Sequence, residues 1–239
     1  MNKRLEAIRR LIPDGRGMID VGTDHGYLPV QLYKDGYPGR IFASDIRPGP
    51  LAAARERAGR EGASERISFF LCDGLDACPP EEIDTIVIAG MGGDTICGIL
   101  DRAAWCMSPD YLLILQPMTK AEVLRFWLVN NGFAIRTETL VKEGETLYQL
   151  LTARFQNVNT ALSDAELYCG SFEQQRSSPL FPAFLAQQRA GALEHLLAHH
   201  RGDQFAFFLK HPRHVTHHPR SSGMIILTGC NKNDRQSFK

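Results

Sequence analysis

The sequence predicts a doubly wound α/β fold, a mainly parallel sheet covered by helices on both faces, and three observations carry that expectation. Short apolar runs alternate with segments of helical periodicity over residues 1–155. The first run closes on a glycine-bearing turn, Asp20-Val-Gly22-Thr-Asp24-His-Gly26, at the position where such sheets hold nucleotides. The last two extended runs are joined by Glu143-Gly144-Glu145, so they must return antiparallel, because a parallel return needs a crossover.

The elements follow in order. Leu5, Ile8, Leu11 and Ile12 recur at three- and four-residue spacing, which predicts an amphipathic helix over 2–12 ended by Pro13 and Gly15. Residues 17–22 form a short apolar strand and 27–33 a helix. Residues 40–45 are a strand, 48–62 an Ala/Arg-rich helix, 67–71 and 85–89 strands, 94–104 a helix and 111–115 a buried strand. The helix over 120–130 stops at Asn131-Gly132, before the final strands over 133–141 and 147–154. Beyond 155 the alternation ends. Residues 163–200 are expected as helix, with Leu180, Phe184, Leu185, Leu193, Leu196 and Leu197 on an apolar stripe. Residues 203–239 lose periodicity and collect His211, His214, His217 and His218. The expected organisation is a cofactor-binding domain over 1–156, a helical region over 157–202 and an irregular, poorly ordered tail over 203–239.

Composition bounds the class. Hydrophobic residues make up 44% and charged residues 23%, as in a soluble globular protein. No apolar run reaches about 18 residues, and the N-terminus alternates charge with Leu and Ile, so neither a membrane span nor a secretory signal is expected and the chain reads as cytoplasmic. Six scattered cysteines lack paired spacing, which argues against a zinc site or a disulfide framework; no metal and no protein partner is expected. The formal net charge of zero offers no global steering toward polyanions. A local patch does exist, because the first helix carries Arg4, Arg9 and Arg10, the candidate RNA-binding residues.

The chemistry concentrates at strand ends. Asp45 ends the second strand, where a carboxylate can accept hydrogen bonds from both ribose hydroxyls. A dinucleotide would bring its pyrophosphate against Asp24, which is repulsive; S-adenosylmethionine instead presents an ammonium and a sulfonium, which Asp20 and Asp24 favour. Asp73 and Gly74 follow the third strand and are candidates for the adenine amine and a ring nitrogen. Ala89, Gly90, Met91, Gly92 and Gly93 end the fourth. Three glycines in four residues clear side chains from the place where a methyl acceptor must meet the sulfonium, and Gly92 is expected there in a positive-φ conformation closed to valine.

The runs DVGTDHGYLP, ASDIRPGPLAAA, CDGLDA, DTIVIAGMGG and LILQPMTKAEVLRFWLVNNGF resemble the bacterial tRNA adenine-22 N1-methyltransferase family, closely over residues 2–155 and more loosely from ELYCG to AHH. The resemblance implies a Rossmann-like domain with S-adenosylmethionine as cofactor, a small helical region, and methylation of N1 of one adenine in tRNA. It further implies cofactor contacts for Asp20, Gly22, Asp24, His25, Gly26, Tyr27, Asp45, Asp73, Gly74, Ala89 and Gly90. The family's helical hairpin is longer than the segment recognisable here. Attack by neutral adenine N1 needs no prior proton removal, so Gly90, Met91, Gly92 and Gly93 are expected to position the acceptor and no general base is assigned. Two rival readings share the cofactor site: a small-molecule methyltransferase, which the neutral charge favours, and a binding module without catalysis.

Overall fold

The computed structural model describes residues 2–158 and 160–188. Seven strands form one sheet in the order β3-β2-β1-β4-β5-β7-β6. They are β1 (Gly17–Val21), β2 (Arg40–Asp45), β3 (Ile67–Leu71), β4 (Thr85–Gly92), β5 (Leu112–Thr119), β6 (Phe133–Glu143) and β7 (Thr146–Phe155). The first five are parallel, whereas β7 runs antiparallel to both β5 and β6, as the short turn between the last two strands requires.

Alternation along the central strands feeds two cores. Ile19, Val21, Ile86, Ile88, Leu113 and Leu115 point to one face, and Met18, Val87 and Ile114 to the other. Helices α4 (Gly93–Arg102) and α5 (Ala121–Asn130) cover the first face. The second is covered by α1 (Lys3–Leu11), α2 (Tyr27–Lys34) and α3 (Pro48–Arg60). The α1 helix starts where the Asn2 side chain accepts from the Leu5 amide at 2.8 Å, and its Ile8 is fully buried.

The β4 and β5 strands run three and four residues further than periodicity indicated. The β4 strand continues through Gly90, Met91 and Gly92, with register shifts on either side of Met91, and β5 continues through Gln116 to Thr119. The helix expected over 163–200 is broken within the described residues. It consists of α6 (Asp164–Cys169), opened by a Ser163–Glu166 capping box, then α7 (Phe172–Gln175), then helix over 181–188. Gly170, at φ 74°, ends the first piece, and Ser177-Ser178-Pro179 separates the last two. Of the expected apolar stripe, Phe184 is buried with Phe181 against Leu140, and Leu180 and Leu185 pack beside them. Leu193, Leu196, Leu197 and the tail over 203–239 lie outside the described residues.

A buried ion pair fastens these pieces to the sheet. Arg125 of α5 is 1% exposed and donates from Nε to Glu138 of β6 at 2.7 Å and from Nη1 to the Leu167 carbonyl of α6 at 2.8 Å. Glu138 also accepts from the Ser171 amide. Removing one member leaves an uncompensated buried charge. Glu138→Ala should therefore lower the unfolding free energy by about 3–5 kcal/mol in a urea titration, and the pair Arg125→Met with Glu138→Leu should recover most of it. A loss below about 1 kcal/mol for Glu138→Ala would mean that water reaches the guanidinium.

Candidate functional site

The carboxyl ends of β1, β2, β3 and β4 converge on one edge of the sheet, and backbone hydrogen bonds knit their turns together. The Gly22 and Thr23 amides both donate to the Ser44 carbonyl at the end of β2, at 2.8 and 2.9 Å, and the buried Ser44 hydroxyl donates to the Gly74 carbonyl after β3 at 2.8 Å. Gly22 sits at φ +70°, and a Cβ there would collide with the Met91 methyl, so the first turn lies directly against the end of β4. Gly26, at φ +68°, lets α2 start against Ala54 of α3. Asp24 adopts the left-handed conformation without being glycine, at φ 53°.

The expected cofactor residues gather here. Asp45 is 4% exposed, and its carboxylate accepts from the Asp24 amide at 3.1 Å and the Arg47 amide at 2.9 Å, which joins the first turn to the second. Each oxygen keeps a further lone pair for a ligand hydroxyl. Asp20 is buried and accepts from the Thr23 hydroxyl at 2.7 Å; burial pushes its carboxyl up to about 7, against the pull of Thr23 and of Arg4. Asp73 is half-exposed and held by Arg102 of α4 at 2.8 Å. Beside these acids two apolar side chains stand exposed at neighbouring strand ends, Ile46 at 62% and Leu71 at 57%. An apolar rim next to a buried ribose-type carboxylate fits the adenosyl end of S-adenosylmethionine. His25 and Tyr27 lie at the outer margin, where Arg57 stacks on the Tyr27 ring at 3.9 Å and donates to the His25 carbonyl.

The β4 end differs from expectation in one respect. Gly90 is the member of the glycine run with positive φ, at +81°, whereas Gly92 has φ −66° and is not strained. A side chain at Gly92 would instead meet those of Asp94 and Thr119, and one at Gly93 would meet the Lys120 carbonyl, so these two glycines admit the close approach of α4 to the β5–α5 turn. The Gly90 amide donates to Oε1 of Gln116 at 3.1 Å. Gln116 is fully buried, pairs in register with Ala89 and was not singled out from sequence. A polar residue at the end of the apolar run Leu112 to Leu115 was the available signal.

The three arginines of α1 are not placed alike. Arg9 pairs with Asp35, the C-cap residue of α2, and Arg10 pairs with Glu6 at 3.1 Å. Arg4 turns inward, donating from Nη1 to Gln116 Oε1 at 2.6 Å. A cavity of about 360 Å³ at the opposite edge of the sheet is lined by Arg16, Arg40 and Arg66. These cations are engaged by Asp84, Glu82 and the Tyr37 carbonyl respectively. Cys78, Cys97 and Cys106 are buried, which pushes each thiol up to about 12 and leaves it unreactive. Among the described residues no group of His, Cys, Asp and Glu could hold a metal ion, and no helix is long and apolar enough to cross a membrane.

Comparison with known proteins agrees with this geometry. A family model described as a methyltransferase domain matches residues 1–151. The tRNA (adenine(22)-N(1))-methyltransferase of Bacillus subtilis is 32% identical over 170 residues, which cover 71% of this chain and 71% of that one. A Streptococcus pneumoniae protein solved in complex with S-adenosyl-L-methionine is 32% identical, with a TM-score of 0.74 over 81% of this chain and 90% of that one. The B. subtilis tRNA methyltransferase TrmK superposes with a TM-score of 0.74 at 27% identity, over 87% of this chain and 92% of that one.

The buried Asp20 generates a pH dependence. Its folded-state value of about 7 lies above the roughly 3.9 of an unfolded aspartate, so its contribution to stability is fully present below about pH 4 and is lost as pH rises through about 7. Asp20→Asn removes that titration. Thermal melts of the ligand-free protein from pH 5 to 8 should show the parent losing stability relative to the variant, by at most about 1.4 kcal/mol per pH unit. Parallel curves would show that Asp20 stays ionised throughout.

Proposed function

The chain belongs to the family of bacterial tRNA adenine-22 N1-methyltransferases, and on that premise we propose how its own residues carry out the reaction. It is an S-adenosylmethionine-dependent enzyme that transfers a methyl group to N1 of an adenine in tRNA. The observation that carries the residue assignments is the switch point itself, where Gly22, Asp45 and Gly90 meet at adjacent strand ends.

Asp45 takes the ribose hydroxyls, Ile46 and Leu71 flank the adenine ring, and Asp73 with Gly74 reads its polar edge. When bound, the cofactor supplies an electrophilic methyl on a sulfonium. Gly22 and Gly90 bring backbone rather than side chain to that methyl, and the backbone from Ala89 to Gly93 orients the acceptor base. The lone pair of neutral N1 forms the new bond to carbon while the carbon–sulfur bond breaks, so no side chain has to remove a proton first. Carbonyls facing the exocyclic amine stabilise the positive charge that develops on the base. A base stacked inside folded tRNA has to be turned out to reach this edge. Catalysis resides in residues 1–156 and takes place in the cytoplasm, where the tRNA partner is found.

Incubation with a labelled methyl donor and bulk tRNA, followed by nucleoside analysis, should yield 1-methyladenosine as the labelled product. Label confined to small acceptors would favour the small-molecule reading, and binding without transfer the non-catalytic one. Asp45→Ala should weaken adenosylmethionine and adenosylhomocysteine by about one to two orders of magnitude, the loss of a charge-assisted pair of hydrogen bonds. Calorimetry that found tight NAD binding and no adenosylmethionine binding would overturn the assignment.

A further inference from the structure

We propose that Met118 is the apolar platform against which the acceptor adenine lies during transfer, and that the buried amide of Gln116 holds it there. This rests on the reading of the chain as a tRNA adenine N1-methyltransferase and names a side chain that the base meets beside the Gly90 backbone.

The reaction brings two adenines to one crevice, one in the cofactor and one in the tRNA, with the methyl group between them. The strand ends carry exposed apolar side chains on both sides of the place where Gly22 and Gly90 meet. Ile46 and Leu71 stand at the ends of β2 and β3, on the side assigned to the cofactor ring, and Met118, 50% exposed, stands at the end of β5. The sheet order puts β1 and β4 between these two places. Met91 does not fill the second place, because its methyl is turned toward Gly22. On the α4 side the glycine run is bordered by the Asp94–Lys120 ion pair, 2.7 Å apart, which offers a ring no apolar face.

Met118 is fixed from below. It shares the parity of Ile114 and Gln116, so it emerges on the face that α1 covers. Gln116 Nε2 donates to the Met118 sulfur at 3.5 Å and to the Pro117 carbonyl at 2.9 Å. Its Oε1 accepts from the Gly90 amide at 3.1 Å and from Arg4 at 2.6 Å. Both donors and both lone pairs of the amide are therefore used. Gln116 has nothing left to offer a base, and it acts by holding the Gly90 backbone and the Met118 thioether at a set separation. Gly90 adds no side chain to the gap.

The chemistry of the side chain suits the task. Methylation at N1 turns a neutral ring into a cation, and a polarizable thioether packs against an aromatic ring in either state. Its unbranched chain adapts to a base that enters and leaves at every turnover. A phosphate is the wrong partner, because Met118 has no charge and no donor.

Transfer and binding measured on the full chain test the contact. Met118→Ala should lower the single-turnover rate on tRNA about five- to tenfold, the size of a lost sulfur–aromatic contact, and Met118→Leu should recover most of that loss. With adenosylhomocysteine present, Met118→Ala should weaken binding of intact tRNA at least about threefold and leave tRNA that is abasic at the target adenine within about twofold. Affinity for adenosylhomocysteine itself should stay within about twofold. Equal losses on intact and abasic tRNA would make Met118 a support or a backbone contact and overturn the proposal, as would a parental transfer rate for Met118→Ala. A matching loss of adenosylhomocysteine affinity would place Met118 on the cofactor and overturn it too. A parent chain that binds adenosylhomocysteine but leaves every tRNA adenine unmethylated would overturn the functional reading, and the proposal with it.

Discussion

A parallel sheet offers a ligand only the carboxyl ends of its strands, and it opens a crevice only where successive connections leave toward opposite faces. Here that place lies between β1 and β4. The chain goes outward from β1 through α2 and α3 on one face, then returns to pair β4 with the other side of β1 and continues through α4 and α5 on the other face. Everything at the site answers to this reversal. Gly22 must lack a side chain because Met91 arrives from β4, and the Ser44 carbonyl holds two amides of the first turn because β2 flanks β1 on the far side.

The charges around the crevice come from separate elements. Asp45 closes β2 with Arg47 two residues beyond, Asp73 is met by Arg102 from α4, Asp20 lies one residue before the end of β1, and Arg4 enters from the first helix. The exposed pairs contribute little to stability, since water screens them, but they orient the carboxylates. Asp20 is different. A carboxyl this deeply buried disfavours its own ionised form, which makes the ligand-free site less stable near neutral pH than an apolar one would be. The Arg125–Glu138 pair, equally buried, lies away from the crevice and fastens the C-terminal pieces.

Much of this was legible from residue order alone. The β1, β2 and β3 strands, the antiparallel return of the last pair and the gathering of Asp20, Asp45, Asp73 and Gly90 at strand ends all follow from periodicity and turn chemistry. The exceptions have physical causes. The expected strands stop at 89 and 115, yet β4 and β5 continue to Gly92 and Thr119, with register shifts beside Met91 that absorb the irregularity of the glycine run. Periodicity marks which face of a helix is apolar, but it does not say which arginine on the polar side will find a buried amide, so Arg4 could not be told from Arg9 and Arg10. Of the stripe expected after Ser163, Leu180, Phe184 and Leu185 pack together beside Phe181 and Leu140, and upstream of them the helix is interrupted, because Gly170 and Pro179 stop the hydrogen-bond ladder.

The contact between α1 and the last hairpin bears on biosynthesis. Arg4 is seated by Glu143 and Tyr148, and the Arg4–Glu143 bond closes a span of 139 residues. At about 5–20 residues per second, the first helix leaves the ribosome on the order of ten seconds before its docking partners are made. During that interval its apolar stripe of Leu5, Ile8 and Leu11 has no hairpin to rest on, and the amide of Gln116 waits for its guanidinium. The Arg4 corner of the crevice is therefore completed by the end of the domain and not by its beginning, so a nascent chain halted before Glu143 carries Gly22, Gly26, Gly74 and Gly90 and still lacks Glu143 and Tyr148, which seat its first helix.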